Sequence, residues 1–213
     1  MAELPVLTPA SPAAEAFARA MAPGAAEAGD SSAAAARLAA DNPRRAMELI
    51  AGWLSTRESV WWGCLCAAQI LKAGGEPGPG PLLAKVLNWV KDPSAANRDA
   101  VGGILEIEGD TPAHLLARAV SFTTDNMSPC KDQPVACPTP LAHRMVAMAA
   151  LAAADLWPGP NRRECEDHFV DLGLDVSEGL HLWAKGAVAL HPGLRKGADP
   201  TTFRKTGNIW EKW

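Results

Sequence analysis

Apolar residues recur at three- and four-residue intervals through the middle of the chain, and almost nowhere do they alternate. Ala46, Leu49, Ile50 and Trp53 share one face of a helix predicted over 43–54. Residues 59–71, SVWWGCLCAAQIL, are uncharged and apolar nearly all round, which predicts a buried central helix over 56–73. Leu83, Val86, Leu87 and Val90 mark a helix over 82–91, and Val101, Ile104, Leu105 and Glu108 one over 93–108. Leu115, Leu116, Ala119 and Val120 mark another over 112–123, a Met/Ala-rich helix is predicted over 140–156, and a last one runs over 161–172.

Start signals agree with this pattern. Asn42-Pro43, Asp92-Pro93, Thr111-Pro112 and Thr139-Pro140 each put a capping side chain before a proline, whose missing N–H suits a first turn. Ser55 and Glu58 form a capping box. Gly74-Gly75 stops the central helix and opens the loop GGEPGPG. The predicted fold is all-α, a single bundle of about seven to eight antiparallel helices joined by short loops. Helix pairs spaced by about 40–50 residues also match helical repeats, although no repeated motif accompanies them.

Composition divides the chain into three. Of 41 alanines, 17 lie before residue 42, in an Ala/Pro-rich arm (1–41) with short helices predicted near 13–21 and 32–40. Residues 42–190 form the helical domain, and 191–213 a basic and aromatic tail. A net charge of −4 argues against a nucleic-acid partner. Glu3 stands where an export signal needs a basic residue, and the 13-residue run 59–71 is too short to span a bilayer. With five cysteines at irregular spacing, the expected setting is the cytoplasm, with reduced thiols.

Candidate chemistry is sparse. Trp61 and Trp62 diverge by about 100° on a helix, so one packs inward and Trp62 is a candidate recognition residue; the alternative is core packing of both. Cys130, Cys137, Cys165 and His168 are the one candidate metal or thiol-responsive set, with Cys165 and His168 one helical turn apart. Without a tight Cys pair, ordinary thiols are the simpler reading. Glu164, Glu166, Asp167, Asp171, Asp175 and Glu178 beside His168 suit either an acid–base pair or a solvated helix face. GGEPGPG follows a helix and lacks the lysine of a phosphate loop, so it reads as a linker, and no cofactor motif is present. The tail carries Arg195, Lys196, Arg204, Lys205 and Lys212 against Asp199 and Glu211, with Phe203, Ile209, Trp210 and Trp213 as apolar anchors. Phe203, Arg204, Lys205, Trp210 and Trp213 are therefore candidate partner-binding residues, unless the tail docks on its own domain.

Three segments, RRAMELIAGWLSTRESVWWGCLCA (44–67), VLNWVKDPSAANRDA (86–100) and FVDLGLDVSEG (169–179), resemble an uncharacterised family of bacterial all-helical proteins. Its members are often encoded near type VI secretion components. The resemblance covers about residues 42–179 and implies a non-catalytic adaptor, chaperone or accessory role, with a secretion-system component or effector as protein partner and no catalytic residues to carry over.

Overall fold

A computed structural model describes residues 38–104, 106–124, 126–128, 132–138 and 140–184. After helical residues 38–41 come seven helices: α1 (Pro43–Trp53), α2 (Thr56–Lys72), α3 (Gly80–Lys91), α4 (Ala95–Val101), α5 (Pro112–Ser121), α6 (Leu141–Asp155) and α7 (Arg162–Ser177). Among the described residues there is no strand, only an isolated antiparallel bridge between Asn126 and Ala136. The fold is all-α, as the periodicity predicts.

Local chemistry explains most helix limits. Asn42 accepts the Arg45 N–H at the start of α1, and Ser55 and Glu58 make the reciprocal bonds of a capping box on α2. Gly74, at φ +89°, turns the chain out of α2. Two expected starts work differently. Asp92 ends α3 instead of starting α4; its carboxylate accepts from Ser94 Oγ and Asn97 Nδ2, and Ser94 is the cap of α4. Thr111 precedes α5 but gives no side-chain cap, because its hydroxyl pairs with His114 Nδ1 at 2.6 Å. Thr139, together with residues 1–37, 105 and 185–213, lies outside the described residues.

The helix expected over 93–108 stops at Val101, because Gly102 takes φ +113° and its carbonyl is held by Ser121 Oγ. In the other direction, α7 runs on past the expected end at 172, through Gly173 to Ser177.

α2 and α6 form the centre. Among their neighbours, α1 and α7 lie to one flank and α3 and α5 to the other. The end contacts fix their directions. His143, near the start of α6, donates from Nε2 to the Leu54 carbonyl just before α2, while Gly75 lies against the Leu156 carbonyl past the end of α6. α2 and α6 therefore run parallel, whereas helices consecutive in sequence around α2 run antiparallel to it. The core closes tightly at two glycines. A Cβ on Gly63 would lie 2.5 Å from Leu116 Cδ2, and one on Gly173 would lie 2.5 Å from Ile50 Cγ2.

The two poles of the bundle differ. At one, Arg44 of α1 grips Asp155 with both terminal nitrogens (2.7 and 3.1 Å) and reaches Glu166 of α7 (3.1 Å), while Arg162 also pairs with Asp155. Beside this cluster, Arg163 donates to the Ala39 and Ala40 carbonyls and fixes the incoming chain. At the opposite pole, Arg57 caps the end of α3 through the Val90 and Lys91 carbonyls, both at 2.7 Å.

Candidate interaction surface

α6 is apolar on both sides, but the sizes are reversed from what area burial alone would favour. Its inward face consists mainly of Ala142, Val146, Ala147, Ala149, Ala150, Ala153 and Ala154. Small residues there let α1, α2 and α5 all approach closely; the Val146 side chain faces Gly63. Of the larger apolar residues, Met148 and Leu156, just past the helix, are 48% and 42% exposed on the outer side, while Leu141, Met145 and Leu151 are half-buried at its edges, Met145 and Leu151 packed against the core. These positions follow helical spacing and make a stripe about 22 Å long. Arg144 and Asp155, four residues before and seven after Met148, are exposed on the same face, and Asp155 is already paired. Methionine-rich apolar surface of this kind adapts to partner side chains.

The tryptophan pair serves the interior. Trp62 is 0% exposed, and its indole N–H donates to the Phe169 carbonyl at 2.8 Å. It therefore presents no recognition surface, which corrects the expectation that Trp62 reads a partner: α7 covers it. Trp61 is also buried and donates to the His181 carbonyl at 2.6 Å. Trp183 meets the Trp61 ring edge-on, 6.3 Å between centroids, and lies over the Arg57 guanidinium at 4.1 Å. His181, at φ +54°, donates from Nε2 to Asp175. Residues 181–183 are thus riveted to the pole where Arg57 caps α3.

The thiols occupy separate environments. Cys64, Cys66 and Cys165 are buried and free, and Cys137, half-buried, donates its S–H to the Phe122 carbonyl at 3.1 Å. Burial pushes the Cys165 thiol up to about 11 and holds Cys64 and Cys66 well above the usual thiol range. Cys130 lies outside the described residues. Among the described residues, no three His, Cys, Asp or Glu side chains gather where a metal ion could be held. Within the acidic series, Glu166 is buried against Arg44 and Arg162, Asp167 pairs with Arg163, and Asp175 with His181. The structure uses these carboxylates to join α7 to its neighbours. Phe203, Arg204, Lys205, Trp210 and Trp213 lie outside the described residues.

The outer stripe of α6 was missed in the sequence because the Met/Ala run satisfies a buried helix equally well. Its signal is that residues 140–156 hold only three charged or titratable side chains, leaving no polar face to turn to water. No helix among the described residues is long and apolar enough to cross a membrane. A model of a family of unknown function (DUF6931) matches residues 33–177, about two thirds of the chain. No curated protein and no solved structure matches it.

Proposed function

We propose, from the premise that this chain belongs to the family of unknown function (DUF6931), that it is a non-catalytic helical interaction protein of the cytoplasm. In this reading it acts as an adaptor, chaperone or accessory factor and docks an apolar helical segment of a partner along α6. One observation carries the proposal: α6 keeps alanines inside and leaves Met148, and Leu156 just past its end, exposed on its outer side, with Leu141, Met145 and Leu151 half-buried beside them. A partner helix laid along that stripe would anchor at i, i+3, i+4 and i+7 positions, the spacing of helix-in-groove recognition. The resemblance carried by residues 44–67 directs the search for that partner toward type VI secretion components and effectors.

The test compares the full chain with its Met148→Glu/Leu156→Glu double variant in binding assays against such components. Both substitutions replace exposed side chains, so the unfolding free energy should stay within about 0.5 kcal/mol of the parent. Partner affinity is expected to fall by tenfold or more, because a carboxylate would have to be desolvated at the docking face. Undiminished binding by the double variant would remove α6 as the docking surface.

A further inference from the structure

Away from α6, a groove of about 460 Å³ opens between α4, the turn after it and the end of α5, lined among others by Arg98, Asp99, Ile104, Glu106, Ser121 and Met127. We infer that this groove is the docking site of the chain's own basic and aromatic segment, residues 191–213.

Charge favours this occupant. Asp99 and Glu106 line the groove beside a single arginine, Arg98, and the stretch 92–110 to which they belong carries three further exposed carboxylates, Asp92, Glu108 and Asp110. The segment carries Arg195, Lys196, Arg204, Lys205 and Lys212 against Asp199 and Glu211. An acidic rim and a basic segment on the same chain attract at short range and at ordinary salt. Apolar chemistry agrees: Ile104 and Met127 contribute carbon to the walls, and Phe203, Ile209 and Trp210 are side chains that seek such surface.

The position of residue 184 favours the same occupant. Trp183 lies over Arg57, and Arg57 holds the last carbonyls of α3, directly before Asp92 and α4. Residue 184 therefore lies at the pole on which the groove opens. The 19 residues from 185 to 203 can span up to about 60 Å, ample to bring Phe203 to the groove. A tether of that kind holds the segment at an effective concentration of order millimolar, so even weak recognition suffices. The groove lies on a different element from the α6 stripe, and each proposal can fail without the other.

Zero-length carbodiimide crosslinking of the full chain tests this, since it joins a lysine to a carboxylate only when the two are in contact. At low salt, links are expected from Lys196, Lys205 or Lys212 to Asp99 or Glu106, and they should fall at least fivefold in 0.5 M NaCl. In an equal mixture of isotopically light and heavy chains, the links should join partners of the same mass only. The Arg204→Glu/Lys205→Glu variant should lose these links from the tail side, and the Asp99→Asn/Glu106→Gln variant should lose them from the groove side. Tail lysines linked to other carboxylates, links between light and heavy chains, or no links at low salt would each overturn the proposal.

Discussion

Gly173 packs the centre of α7 against both α1 and the Trp62 indole. A methyl group there would press on Ile50 Cγ2 and come within 3.1 Å of Trp62 Nε1, beside the bond that nitrogen makes to the Phe169 carbonyl. Gly173→Ala gains about 1 kcal/mol of helix propensity but faces an overpacking cost of about 1–3 kcal/mol and a strained indole bond. The expected net loss of about 1–2 kcal/mol is read from the urea midpoint. The helix predicted over 161–172 stops one residue short of this glycine, which is a place of close approach inside α7 and not its end. The cysteines give a second check at this scale. Cys64, Cys66 and Cys165 are buried with thiols held above their usual range, so a thiol reagent at pH 8 should leave them unlabelled in the folded protein and reach all five cysteines in denaturant.

Among elements, the polar junction of α1, α6 and α7 and the apolar rivet at 181–183 do opposite kinds of work. Arg44, hydrogen-bonded to Asp155, holds that carboxyl below its ordinary value. A lowered acid contributes stability in full above its unfolded pKa of about 3.9 and loses it as pH falls through the folded value. The stability gap between the parent and Arg44→Ala should therefore be constant above pH 5 and narrow below 4. The part due to Asp155 is at most about 1 kcal/mol, because that carboxylate is half-exposed. Acid titration of the unfolding midpoint in both proteins measures this. At the other pole, Trp183→Ala would remove the ring over Arg57 and the edge contact to Trp61, for a loss of about 1–2 kcal/mol confined to the end of the domain. Amide exchange should quicken at 180–184 while α2 stays protected. The capping signals at Asn42 and Ser55 were readable because each cap is local. The limits of α4 were not read, since Asp92 belongs to the helix before it and the Gly102-Gly103 stop lies within an otherwise apolar period.

At the scale of the molecule, helix count and core were legible from periodicity, but the arrangement was not. Short loops suggest antiparallel neighbours, and α1, α2 and α3 follow that rule; the parallel pairing of α2 with α6 spans too much intervening sequence for any local signal to report. The same gap hid the outer stripe, since which side of a Met/Ala helix faces water depends on which helices crowd it. Pole and counter-pole now have a mechanical meaning. Residue 41 is held where Arg44 meets Asp155, and residue 184 leaves where Arg57 meets Trp183, at the far end of α1 and α7. A body attached to each side is separated by a spacer on the order of 20 Å. Fused reporters would be kept apart, and tension between them would run along the helix axes, loading the packed flanks in shear instead of peeling one helix from the next.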